Sequence, residues 1–254
     1  MFNEKKVTEE IIEFIRKYYK ENNLLGAVIG ISGGKDSGVV AGLFSRALGP
    51  ENVLGLWMPC HSKDEDKMNA YLVANHFGFD IKEVDLTYLY DNYVDNIKNI
   101  YTGINEDNLI DANINIKPRL RMSTLYYNAA LLSSIKGGTY IVPGTSNACE
   151  IYVGYFTKGG DNVSDINVLA DLTVEEVIKV GKYIGVPDVV VNKLPDDGLS
   201  GLTDEEKLGV SYKNIDAVLN NEEVEENTKL KIKELHNKNM HKFNIPIYRK
   251  NIWK

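Results

Sequence analysis

The chain has 254 residues, is 43% hydrophobic and 26% charged, and so has the balance of a globular protein with a sizeable core. Its formal net charge of -7 argues against a nucleic-acid backbone as the main partner, because phosphate contacts need clustered Lys and Arg. MFNEKKVTEEIIEF at the start lacks the apolar core of a signal peptide, and no apolar run approaches the roughly 20 residues of a membrane span. A cytoplasmic setting with no membrane is expected.

In chain order, LLGAVIGI (24–31) reads as a strand buried on both faces. A helix follows with apolar positions Val39, Val40, Leu43, Phe44, Ala47 and Leu48, stopped by Gly49-Pro50. VLGLWM (53–58) is a second strand, 64–77 a helix ended by Gly78, and IKEVDL (81–86) a third strand. The next helix is expected to start after Pro118 and to run through RLRMSTLYYNAALLSSI to Gly137-Gly138, before a fourth strand, TYIVPGT (139–145). FTKGGDNVSD (156–165) reads as a loop. Thr173 with Glu176 and Thr203 with Glu206 have capping-box spacing, and KLPDDGLSGLTDE between them is a second loop. This alternation predicts an α/β fold, a doubly wound parallel sheet with helices on both faces, as a single domain over residues 1–254. Cys60 and Cys149 share no CxxC or metal-ligand spacing, which suits a reduced compartment.

The first strand runs into Ser32-Gly33-Gly34-Lys35-Asp36-Ser37. A strand, a glycine-rich turn and a helix together make an anion site. The glycines admit a phosphate to the backbone, and the first free N–H groups of the helix point at it. The order differs from G-x-x-x-x-G-K-[ST], so this is not a Walker A loop. Ser32 and Ser37 carry hydroxyls that can donate to phosphate oxygens. Asp36 would repel a phosphate unless Mg²⁺ stood between them, an ion that takes a few carboxylates plus phosphate oxygens. Lys35 reads equally well as a solvated first-turn residue. The plain alternative for the whole stretch is a tight turn with Asp36 near the helix dipole.

SGGKDS resembles the SGGxDS loop of the PP-loop ATP pyrophosphatases, which cleave ATP between its α and β phosphates to activate a carbonyl or carboxylate. KPRLRM, VPGTSNACE, GYFTKGGD, DIN, DEEKLG and MHK follow in this order across most of the chain. Together they look like the ammonia-dependent NAD⁺ synthetases. The resemblance implies a Rossmann-like, adenine nucleotide alpha-hydrolase-like fold. It also implies that the carboxylate of deamido-NAD⁺ is adenylated by ATP and then attacked by ammonia, giving NAD⁺, AMP and pyrophosphate. ATP would lie along Gly30, Ile31, Ser32, Gly33, Gly34, Lys35, Asp36 and Ser37, with Thr145 and Asp196 as further contacts. Asp36 and Glu150 would bind Mg²⁺. Arg119, Lys158, Asp165, His241 and Lys242 would hold deamido-NAD⁺, and Asp36, Lys158 and Asp165 would serve catalysis. A homodimer is implied, with the tyrosine-rich helix around Tyr126-Tyr127 as a candidate surface. No amidase domain is read in the chain, so free ammonia is the expected donor.

The chemistry of these residues suits those roles. Glu150 follows the fourth strand by a short loop, at the carboxyl edge where ligands bind in parallel sheets. Arg119 offers a planar fork that grips phosphate or ribose oxygens, whereas Arg121 faces elsewhere on the helix and reads as structural. Lys158 could stabilise charge on a five-coordinate α-phosphate. Asp165 could hydrogen-bond the substituent of the pyridine ring or take a proton from ammonium. Either is otherwise an ordinary loop charge. His241-Lys242 ends the last helix, where bland capping cations would also complement the dipole. Two positions depart from the family pattern. Val174 stands where many members have an ATP-binding lysine, and Asp196 replaces a usual Thr or Ser, with Lys193 near enough in sequence to compensate. The rival readings are a tRNA-thiolating or lysidine-forming enzyme and a non-catalytic nucleotide-binding module. Thiolation usually needs a cysteine pair, and a sensing module has little use for both Asp36 and Glu150.

Overall fold

The computed structural model describes residues 2–103, 105–193, 203–243, 246 and 248. It opens with α1 (Glu4–Glu21), which starts where the Asn3 side chain accepts from the Lys6 N–H. Then come β1 (Leu24–Gly30), α2 (Lys35–Leu48), β2 (Val53–Trp57), α3 (Asp64–Phe77), β3 (Asp80–Glu83), α4 (Thr87–Lys98), α5 (Glu106–Lys136) and β4 (Thr139–Ile141). β5 (Pro143–Gly144), α6 (Ala148–Val153) and β6 (Ile166–Asn167) form a short excursion. The chain continues through α7 (Val174–Ile184), α8 (Asp188–Val191), α9 (Asp204–Leu208), α10 (Tyr212–Leu219) and α11 (Glu226–Asn239), and a 3₁₀ turn spans Met240–Lys242.

Among the described residues the main sheet is parallel throughout, in the order β3-β2-β1-β4, and β5 pairs with β6 beside it. Alternation along the strands assigns the two faces. Ala27, Ile29 and Ile141 pack with Val39, Phe44 and Val177 beneath α1, α2 and α7. Val28, Leu56 and Tyr140 pack with Tyr90 and Ala129 beneath α4 and α5. The sheet is therefore doubly wound, as expected. A third cluster joins α6, α10 and α11 through Val153, Ile215 and Ile232. Each fully buried Ile or Phe of this kind contributes about 1.5–3 kcal/mol.

Three elements differ from the expectation. The long helix starts at Glu106, not after Pro118, because Asn105 and Asn108 form a reciprocal cap and Pro118 is carried inside the helix. Pro118 has no N–H to offer the Ile114 carbonyl one turn earlier, a break that a helix tolerates as a kink. The fourth strand divides at Val142: the Asp165 side chain accepts from the Val142 N–H at 2.8 Å and the Asp165 N–H donates to Val142 O at 2.9 Å. Pro143 then pairs only with Ile166. The third strand ends at Glu83, yet bonds from Val84 to Trp57 O and from Leu86 to Pro59 O carry the chain onward. Pro59 has no N–H with which to return the ladder. Thr173 and Thr203 cap α7 and α9 with Glu176 and Glu206, as their spacing predicts.

Candidate active site

The glycine-rich turn closes on itself through two hydroxyls. Ser37 Oγ donates to Gly34 O at 3.1 Å and accepts from the Ser32 N–H at 3.2 Å. Ser32 Oγ accepts from the Gly34 N–H at 3.2 Å and lies 3.1 Å from Ser37 Oγ. Since Ser37 has one proton and uses it on Gly34, Ser32 is the donor in that last pair. The hydroxyls thus shape the loop. The N–H groups of Lys35, Asp36 and Ser37 precede the first bond of α2, from Gly38 N to Gly34 O, and have no backbone partner among the described residues, so they can face an anion. Gly33 has φ +81°, and a side chain there would collide with the Asp66 carbonyl, so glycine is required on both counts.

Asp36 and Glu150 converge. Asn147 Nδ2 donates to Asp36 Oδ1 at 3.2 Å, while the Asn147 N–H donates to Glu150 Oε2 at 3.2 Å. Glu150 lies on the first turn of α6 and not in a loop, because its carboxylate completes a capping box with Asn147. Burial first, and then the charge of Asp36, push the Glu150 carboxyl well above the ordinary carboxylate range, against the pull of Lys35 and the Asn147 N–H. A divalent cation relieves such opposition. Among the described residues no group of three or more His, Cys, Asp or Glu forms a complete metal cage. Two hard carboxylate oxygens nonetheless fit Mg²⁺, which takes its remaining ligands from phosphates and water.

Of the two readings open for Lys35, the solvated one does not hold. It is 5% exposed, its ammonium is 2.9 Å from Asp36 Oδ2, and it lies over the Tyr212 ring at 5.9 Å. Burial alone would pull its pKa down, but Asp36, Glu150 and Asp204 together outweigh burial and raise it. Asp204 is held by Tyr155 Oη at 3.0 Å and Tyr212 Oη at 3.3 Å. Asp204 and its two tyrosines were not singled out from the sequence. DEEKLG contains the carboxylate, but nothing local says that it faces Lys35. Asn147 was missed too, although Asn147-x-x-Glu150 has the same spacing that marked Thr173 and Thr203.

Four of the expected substrate residues meet in a second group. Arg119 donates from Nε and Nη2 to Lys158 O at 3.3 and 3.2 Å. Lys158 Nζ donates to His241 O at 3.0 Å, and Lys242 Nζ donates to Gly154 O and Phe156 O at 2.7 and 3.0 Å. The 3₁₀ turn after α11 is thereby fastened to the loop after α6. Thr157 stiffens that loop: its Oγ1 donates to Asn115 Oδ1 at 2.7 Å, and its N–H donates to Asp161 Oδ1 at 2.8 Å. Asp165 stands apart from this group. It is fixed to Val142 and accepts from Tyr126 Oη at 3.2 Å, where burial and then the Asp165 charge push the phenol up to about 12. Arg121 faces away from this group and donates to Met58 O at 3.1 Å. Thr145 is half-buried in the turn before α6.

Val174 is buried in the third cluster, and its N–H and that of Glu175 point to Asp216 at 3.4 and 3.1 Å. Lys193 pairs with Asp66, whose carbonyl lies against the glycine turn. Asp196 lies outside the described residues. Both cysteines are free and buried; burial and the neighbouring Asp216 push the Cys149 thiol up.

A parallel sheet whose first strand ends in a cradle of main-chain amides, with two carboxylates alongside, defines a nucleotide-binding α/β protein of the PP-loop kind. The chain belongs to the NAD synthase family, whose model matches residues 7–252. It is 40% identical over 240 residues to the NH(3)-dependent NAD(+) synthetase of Carboxydothermus hydrogenoformans, covering 94% of this chain and 95% of that one. Among solved structures, NMN synthetase from Francisella tularensis superimposes with a TM-score of 0.87 at 30% identity, over 98% of this chain and 99% of the other. NH3-dependent NAD synthetase from Campylobacter jejuni gives 0.76 at 27% identity, over 98% and 100%.

Proposed function

We propose that this chain is a ligase that makes NAD⁺ from deamido-NAD⁺, ATP and ammonia. The nicotinate carboxylate attacks the α-phosphorus of ATP and pyrophosphate leaves. Ammonia then attacks the activated carbonyl carbon and AMP leaves. The observation that carries the reading is the convergence of Asp36 and Glu150 beside the free N–H groups of Lys35, Asp36 and Ser37. Membership of the NAD synthase family supports the choice of substrate, and a tRNA-modifying enzyme is not favoured.

In this reading the amides of the turn receive the departing pyrophosphate, and Gly33 and Gly34 keep side chains out of its way. Asp36 and Glu150 would hold Mg²⁺, which would offset the charge of the triphosphate. Thr145 is assigned to the nucleotide, and so, from the family pattern alone, is Asp196, which lies outside the described residues. Arg119, Lys158, His241 and Lys242 grip the dinucleotide, and Lys158 also steadies the negative α-phosphate. Asp165 orients the pyridine end or takes a proton from ammonium. Two copies associate through the outward stripe of α5, where Tyr127, Leu131 and Ile135 are exposed at four-residue spacing. The enzyme works in the cytoplasm; no helix among the described residues is long and apolar enough to cross a membrane.

The test is a coupled assay for NAD⁺ from ATP, deamido-NAD⁺ and ammonium, beside glutamine, tRNA and the carboxylate mononucleotide whose amidation would give NMN. NAD⁺ and stoichiometric AMP with ammonium are expected. A faster reaction with the mononucleotide would move the substrate assignment toward the Francisella relative, and AMP formation that depends on tRNA would overturn it.

A further inference from the structure

We propose that Asn147 is a positioning residue that sets where Asp36 and Glu150 stand relative to each other. The proposal rests on the reading of those two carboxylates as a shared metal site. Asn147 has no exposed surface, and both polar atoms of its side chain are bonded. Its Oδ1 accepts from the N–H groups of Cys149 and Glu150, both at 3.1 Å, and so caps α6. Its Nδ2 donates to Asp36 Oδ1 at 3.2 Å. Its own N–H donates to Glu150 Oε2 at 3.2 Å.

The orientation of the amide is forced. Two N–H donors at the start of α6 require an oxygen facing them, which leaves only the NH₂ side to face Asp36. The cap therefore decides the polarity of the bond to the phosphate-binding loop. One side chain ties the first turn of α6, which carries Glu150, to the first turn of α2, which carries Asp36. The two helices lie beyond strands adjacent in the sheet, β4 and β1, but the bond joins positions 111 apart in the chain. The other oxygen of Asp36 is taken by Lys35 at 2.9 Å, so the carboxylate is held from both sides. A carboxylate free to rotate would meet the metal at variable distance, and a misplacement of this kind costs turnover more than substrate binding.

Asn147→Asp separates positioning from capping. Aspartate caps a helix as well as asparagine does, but it places an oxygen against Asp36 where a donor stood. The variant is expected to fold, with Tm lower by about 5 °C. Its kcat should fall about a hundredfold, with KM for deamido-NAD⁺ unchanged. Asn147→Ala loses the donor to Asp36 and the cap together, so its kcat should fall at least as far as that of Asn147→Asp. The exchanged pair Asp36→Asn with Asn147→Asp restores a donor and an acceptor in reverse order, and should recover at least half of the Tm lost by Asn147→Asp. Wild-type kcat in Asn147→Asp, or strictly additive Tm changes in the exchanged pair, would overturn the positioning role. Mn²⁺ binding followed by electron paramagnetic resonance separates the two readings. Unaltered Mn²⁺ affinity in Asp36→Asn overturns the metal assignment itself, whereas the coupling between positions 36 and 147 is read from Tm alone.

Discussion

The two halves of the site are held in different ways. On the side of the glycine turn, buried and half-buried side chains bond to one another: Lys35 to Asp36, Asn147 to Asp36, Tyr155 and Tyr212 to Asp204. On the other side, exposed cations reach backbone carbonyls: Arg119 to Lys158 O, Lys158 to His241 O. Buried charged pairs are costly to break and keep one geometry, which suits groups that must meet a reacting phosphate at fixed distance. An exposed Arg or Lys on a carbonyl can exchange that partner for a ligand at small cost. In the proposed reading, the first half is built before substrate arrives and the second is completed by it.

The largest effect that would test this contrast is expected at Asp36. Asp36→Asn should lower kcat by about a thousandfold while changing the affinity for ATP far less, since the arrangement proposed to hold a metal would matter most in the transition state. Rapid-quench turnover beside equilibrium ATP binding would decide it, and an unchanged kcat would dissolve the distinction between the halves. Next comes Lys35→Met, which keeps the length of the side chain but removes the ammonium that faces Asp36, Glu150 and Asp204. Breaking a buried pair costs about 3–5 kcal/mol, so Tm should fall by about 10 °C; a scanning-calorimetry trace matching wild type would return Lys35 to the surface class. The smallest is Lys158→Ala. Turnover with deamido-NAD⁺ should fall about tenfold to thirtyfold with Tm unchanged, because exposed contacts of this kind add little to stability. A drop in Tm as large as that of Lys35→Met would mean that both halves are equally structural.

Much of this was legible beforehand. Continuous apolar strands, glycine stops and capping spacings marked the doubly wound sheet, and the SGGKDS turn marked its nucleotide edge. What escaped has a common cause. Lys35 looked solvated because Tyr212 and Asp204 are supplied by a layer far along the chain, and no local pattern reports a partner at that distance. Pro118 looked like a helix start because proline at the first turn is the cheaper arrangement; the cap at Asn105, well upstream, overrode it. The fourth strand looked continuous through 139–145 because Val142 and Pro143 are apolar, but a carboxylate at Asp165 draws the backbone of Val142 aside. Asn147 was within reach of the capping rule already in use.

One helix spans both interests of the molecule. Beyond Pro118, α5 presents Arg119 toward the loop carbonyls and, about 24 Å farther along its axis, Ile135 to the open. A second copy seated on Tyr127, Leu131 and Ile135 would thus rest on the same helix that carries Arg119.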